Sequence, residues 1–142
     1  MLSMRVFRNG LALACVASVL ALAGCSEMDI PTLPSAAPVT ETFENQFGPQ
    51  GSASRSFVVS EMGTVSLTLT SAGPPADVAV GIGIGIPRST GSGCSLSRSV
   101  TATAASVPHL SMTAEPGTYC VQVFDVGALS GDVRFSVSVL HP

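Results

Sequence analysis

The stretch Val78-Ala79-Val80-Gly81-Ile82-Gly83-Ile84-Gly85-Ile86 puts an aliphatic residue at every even position and alanine or glycine at every odd one. Two readings compete for it: a glycine-rich loop around a phosphate, or a strand with one face left bare. A dinucleotide-binding turn needs its glycines spaced GxGxxG between a strand and a helix. Here Gly81, Gly83 and Gly85 strictly alternate, and Pro87 stands where that helix would begin. The GK[ST] ending of a phosphate loop is absent as well. A period of two belongs to a strand. It places Val78, Val80, Ile82, Ile84 and Ile86 toward the core, with Ala79 and the glycines on the other face. Glycine weakens a strand unless something must approach closely. Either a neighbouring loop or side chain lies across that face, or Gly81, Gly83 and Gly85 form a docking strip for another chain or a ligand. No cofactor is expected.

The same short alternation extends in both directions from Phe43 onward. SRSFVVS (54–60) and TVSLTLTS (64–71) read as consecutive strands joined by Glu61-Met62-Gly63, with Val65, Leu67 and Leu69 on one face. Gly73-Pro74-Pro75 breaks the chain before a strand from Asp77 to Ile86, and PRSTGSG (87–93) is a loop. Ser95 to Ala105 is extended, HLSMT (109–113) is a short strand, and Glu115-Pro116-Gly117 makes a turn. TYCVQVFDV (118–126) and DVRFSVSVL (132–140) read as a last pair around Gly127 to Gly131. Seven to eight short strands punctuated by turn residues, without helical periodicity, predict an all-β fold: a small antiparallel β-sandwich.

The N-terminal end is built differently. Arg5 and Arg8 precede an apolar run from Leu11 to Gly24 that ends at Cys25. A charged start, a short apolar stretch and small residues before a cleavage point describe a secretory signal over 1–24. Leu22-Ala23-Gly24-Cys25 resembles the lipobox of bacterial lipoproteins. That resemblance implies a diacylglyceryl thioether on Cys25, cleavage just before it, and acylation of the new amino terminus. Several acyl chains together anchor a protein stably, where one is marginal. Ser26 follows in place of the aspartate that often signals inner-membrane retention, so an outer membrane is favoured in a Gram-negative cell. Residues 25–42, with prolines at 31, 34 and 38, read as a lipid-anchored tether ahead of a domain spanning 43–142.

Residues 25–142 keep nine acidic residues against four arginines and no lysine. The balance excludes a basic stripe for nucleic acid. With no tryptophan and one tyrosine, a platform of exposed aromatic rings for carbohydrate is poorly supported. Cys15 leaves with the signal and Cys25 is taken by lipid, so Cys94 and Cys120 remain as a disulfide pair in an oxidising compartment. Zinc is disfavoured because no histidine stands at ligand spacing from them.

Residues 44–141 resemble the bacterial pre-peptidase C-terminal (PPC) β-sandwich. The similar parts are SRSFVV, GTVSLTLTS, a Pro-Asp-Val strand, and above all Pro116-Gly117-Thr118-Tyr119-Cys120-Val121-Gln122-Val123. The resemblance implies a jelly-roll-like sandwich of the kind found beside secreted peptidases or in envelope proteins. Relatives often carry an Asp-x-Asp alternation on the third strand, whereas Asp77 here stands alone. On the PGTY strand, Tyr119, Val121 and Val123 share the core face. Cys120 points outward, so a bond to Cys94 lies outside the core and near the glycine strip.

Candidate chemistry is sparse. There is no GxSxG elbow and no HExxH. His109 reads as a strand-edge residue rather than a general base, and His141 sits next to last, where chain order is usually poor. Asp125 and Asp132 flank VFDVGALSGDV and are weak calcium candidates, although turn capping and pairing with Arg134 explain them with less. The expected protein is therefore not an enzyme. It is a membrane-anchored envelope lipoprotein whose sandwich binds another envelope protein or a polysaccharide. The alternatives are a structural coat lipoprotein and, further off, a calcium-stabilised accessory module of a secreted peptidase system.

Overall fold

A computed structural model describes residues 36–142. The signal segment, Cys25 and the first part of the tether lie outside the described residues. Eight strands follow one another: β1 (Val39–Phe47), β2 (Ser52–Val59), β3 (Gly63–Gly73), β4 (Val80–Pro87), β5 (Cys94–Ala102), β6 (Leu110–Ala114), β7 (Gly117–Phe124) and β8 (Val133–His141). They form two four-stranded sheets, β1-β8-β3-β6 (sheet 1) and β2-β7-β4-β5 (sheet 2). Antiparallel pairs are nested, β1 with β8, β2 with β7, β3 with β6 and β4 with β5, while β8·β3 and β7·β4 complete the sheets. This is a jelly roll, a long antiparallel ribbon rolled into two packed layers. Only β4 and β5 are consecutive strands in one sheet.

That topology corrects one local reading. β7 and β8 are not a hairpin: β7 pairs with β2 and β4, β8 with β1 and β3. The glycines of residues 127–131 mark where the chain turns, and the turn carries it from one layer to the other. The sheet also begins earlier than Phe43. Residues 39–42, read as tether, pair with residues 138–141 of β8. β1 is an edge strand that buries only Phe43 and Phe47, so its polar residues conceal it.

Alternation builds the core as expected. Val65, Leu67 and Leu69 of β3 are each 1% exposed or less, and Val80, Ile82 and Ile84 of β4 face them from the other layer. Val121 and Val123 of β7 and Val133, Val137 and Val139 of β8 fill the space between. Phe135 packs edge-on against Phe43, ring centres 5.2 Å apart, and lies 5.6 Å from Phe47. Each fully buried aliphatic side chain contributes roughly 1.5–3 kcal/mol. Ile86 departs from the pattern and is 55% exposed. A bulge shifts the β4·β5 register between Ile84 and Gly85, and such a bulge sharpens the local twist. Ile86 follows it, one residue from the strand end, beyond the margin of the core. At the other end, Asp77 precedes the strand in a turn, and β4 starts at Val80.

His141 is likewise not a frayed tail. It continues the inward row of β8 and is 4% exposed. Its Nε2 lies 3.2 Å from Glu41 Oε1, and its ring packs 5.1 Å from that of Phe57. Register with Val39 holds the last turn of chain in place.

Candidate functional site

The glycine face of β4 is occupied. Gly81, Gly83 and Gly85 are all buried. The Phe124 ring lies over Gly81 so closely that a Cβ there would overlap it. At Gly83 a Cβ would meet Leu96 Cδ1 at 2.8 Å and the Arg98 carbonyl oxygen at 2.9 Å. At Gly85 it would run into the Ser95 carbonyl, which is backbone and cannot swing away. Glycine is needed here because Phe124 and Leu96 lie down across the central strand. Anything approaching this face meets those two side chains and not a bare strip.

Beside them, the Cys94–Cys120 disulfide joins β5 to β7, the two strands that flank β4, with Cα atoms 6.0 Å apart. Cys120 alternates outward from Val121 and Val123, and both cysteines are 2% exposed. Cys120 pairs in register with Gly85, so the staple sits next to the glycine row.

The β4–β5 loop is folded back over β7 by a small set of bonds. Gly91 (φ +78°) and Gly93 (φ +97°) take left-handed conformations that side chains rarely adopt. The Arg88 amide donates to the Gly93 carbonyl at 3.2 Å, and Arg88 Nε donates to the Cys94 carbonyl at 3.2 Å. The Cys94 amide in turn donates to Gln122 Oε1 at 2.9 Å. Two grooves meet at this loop. One, of about 420 Å³, is lined by Ser52, Arg88, Ser95, Leu96, Gln122 and Phe124 among others, and reaches Asp125. The second, of about 490 Å³, runs over Ser52, Ser54, Arg88, Ser92 and Gln122 toward Asn45 and Gln46 of β1. Ser52, Arg88 and Gln122 line both grooves.

Asp125 and Asp132 are not drawn into a ligand set. Asp125 Oδ2 accepts the Gln50 amide at 2.8 Å, while Oδ1 accepts the amides of Gly127, Ala128 and Leu129 at 2.8, 3.0 and 3.3 Å. These donors, Gln50 first, hold the carboxyl below its ordinary value of 3.8 against a smaller opposing effect of desolvation. The residue is a loop clasp that ties the β7–β8 connection to the β1–β2 turn. Asp132 is exposed beside Gly48. Arg134 reaches Gln46 Oε1 at 3.3 Å and is in neither ion pair of the described residues. Among the described residues no group of three or more His, Cys, Asp or Glu is arranged to hold a metal.

Both histidines are tied to structural partners. His109 Nδ1 accepts the Leu69 amide at 3.1 Å, and Nε2 lies 2.9 Å from the Thr103 carbonyl, the geometry of a donated N–H. Its own amide donates to the Leu67 carbonyl at 2.8 Å. His109 therefore completes the hydrogen bonding of β3 beyond the short β6. Glu41 sits between His141 and Arg55, 3.6 Å from Arg55 Nη2, and Arg55 also donates to the Thr42 carbonyl at 2.9 Å. These contacts clamp edge strand β1 of one sheet to β2 of the other.

Arg88, Gln122, Phe124 and Leu96 do not stand out as site residues in the sequence. A signal for two of them is present: Gln122 and Phe124 fall on the outward phase of a strand whose inward phase is Tyr119, Val121 and Val123. No known protein family matches this chain, and no curated protein is similar to it in sequence.

Proposed function

We propose that this chain is a non-catalytic bacterial envelope lipoprotein, held to the membrane by lipid on Cys25, whose jelly-roll domain binds another envelope component through the outer face of sheet 2. The observation that carries this reading is the pair of polar grooves that share Ser52, Arg88 and Gln122, one of them lined also by Phe124 and Leu96. The lipobox-like Leu22–Cys25 supports the anchor, and Ser26 favours an outer membrane in a Gram-negative cell. The PPC-like strand order of motifs agrees with an accessory or binding role in the envelope. A non-catalytic reading is supported by His109 and His141, whose ring nitrogens are engaged by neighbouring groups.

The test is affinity capture with the oxidised full chain from an envelope extract of its own cell. A single protein or glycan is expected to be retained by the native chain and lost by Ser52→Trp, which fills the junction. A component retained equally by Ser52→Trp, or nothing retained, would overturn the reading and leave a structural coat lipoprotein.

A further inference from the structure

We infer that the end of the sandwich at which the chain enters rests on the bilayer surface, so that the strands stand upright and both outer faces look sideways; this rests on the lipid anchor proposed for Cys25. Register fixes the ends. Val39 opposite His141, Gly63 opposite Ala114 and Val59 opposite Gly117 bring the starts of β1, β3 and β7 together with the finishes of β2, β6 and β8. The Ser60 amide donates to the Pro142 main-chain oxygen at 3.3 Å, which ties the end of β8 to the β2–β3 turn there. Apolar exposure gathers at this end. Val39, Val58, Met62 and Leu140 are 49%, 60%, 63% and 41% exposed. They are the first residue of β1, the last but one of β2, a residue of the β2–β3 turn and the last but one of β8. Val58 and Leu140 take the outward phase, where neither serves the core. Pro142 lies over Gly63, beside Met62, and Leu140 registers with Thr40, next to Val39. The other large apolar side chains exposed among the described residues, Ile86, Val100, Val107 and Val126, each stand on a different element.

The chain that leads here sets the occupant. The Ala36 amide donates to Glu61 Oε2 at 2.9 Å, so the chain arrives beside the β2–β3 turn. Ten residues, 26–35, separate that point from Cys25, and even fully extended they reach no further than about 40 Å. A lipid on Cys25 therefore keeps the bilayer within reach of this end before any other. A tether that short makes the contact intramolecular, at an effective concentration on the order of millimolar, so a small apolar patch is enough to hold it. A soluble partner would have to reach the same patch against the membrane in front of it. Glu61 and Glu115 stand in the two turns of this end. The attraction accordingly comes from the apolar side chains at the headgroup boundary and not from anionic lipid.

The chain has no tryptophan, so a single introduced one reports alone. Met62→Trp and, separately, Val126→Trp at the opposite end are made in the chain as its cell processes it. Each is purified from membranes and placed in phosphatidylcholine vesicles, with and without lipid bearing a nitroxide near the headgroup. Met62→Trp is expected to lose emission to the nitroxide lipid and Val126→Trp to keep it, with the loss persisting at high salt. Val58→Trp reports on the same end independently and serves if Met62→Trp does not fold. Equal loss at the two ends, or none at Met62 and Val58, would overturn the inference. So would unquenched emission from a chain that runs as a dimer, which gives the patch to a second copy. Flotation of the native chain with the vesicles separates the two claims. A chain that floats without quenching at this end removes only the seating, whereas a chain that stays in solution removes the lipid anchor and the seating with it.

Discussion

The outer face of sheet 1 carries Ser66, Thr68, Ser111, Ser136 and Ser138, while that of sheet 2 carries three glycines roofed by Phe124 and Leu96, a disulfide, and the Arg88–Gln122 pair. The inner faces are alike, rows of aliphatic residues that bury to the same depth. On sheet 1 the hydroxyls mainly meet water or one another, as Ser66 and Ser111 do at 3.0 Å. On sheet 2 the outer side chains form a second packed layer. The lesson is that a jelly roll can leave one outer face to hydroxyls and pack a second layer on the other without disturbing the shared core.

Substitutions sharpen that contrast. The largest effect is expected from replacing Cys94 and Cys120 together by serine. Their separation of 26 residues gives a loss of about 3.5 kcal/mol in the chain-entropy model, read by denaturant unfolding against the oxidised native chain. A change below about 1 kcal/mol would mean that the sheet 2 layer stands without its staple. Gly85→Ala comes next, at about 3 kcal/mol, because the added Cβ meets the Ser95 and Leu96 backbone and overpacks the bulge. If thermal unfolding of that variant matched the native chain, the close approach over β4 would be wrong.

On sheet 1 the sensitive position lies at the edge, away from the serines. His109→Ala leaves the Leu69 amide without its acceptor and is expected to cost about 2 kcal/mol. His109→Asn, which keeps an acceptor within reach, should recover part of that loss. For Asp125 the prediction concerns acid. Its carboxyl is held below 3.8 in the folded chain, so its contribution is fully present above that value and lost as pH falls through the lowered one. Asp125→Asn should flatten that part of the acid unfolding curve, and an unchanged curve would show that the clasp does not couple to folding. The smallest effect is expected at Ser138→Ala on the plain face, within about 0.5 kcal/mol.

Much of this architecture is legible before any coordinates. The alternating runs of β2, β3, β4, β7 and β8 declare the strands, their inward phases declare the core, and Cys94 with Cys120 declares the staple. What escapes is the choice of partner strands. Gly127 to Gly131 look like a hairpin because turn chemistry is local, while the nested pairing of β7 with β2 and β8 with β1 depends on residues some 60 to 100 positions apart. β1 hides because an edge strand with Phe43 and Phe47 as its only buried positions shows little alternation. His141 reads as a tail until β1 is recognised as its partner. The groove at Arg88 was invisible for a related reason. Arg88 sits in a glycine-rich loop, and only the fold-back brings it beside Gln122.

Hydrogen–deuterium exchange on the full chain, with and without the component it retains from its envelope, distinguishes the two outer faces. Binding through sheet 2 gives added protection confined to residues 50–54, 88–96 and 122–125, with β3 and β8 unchanged. Protection over Ser66 to Thr70 or Ser136 to Ser138, with the Arg88 loop unaltered, would contradict it and move the working face to sheet 1.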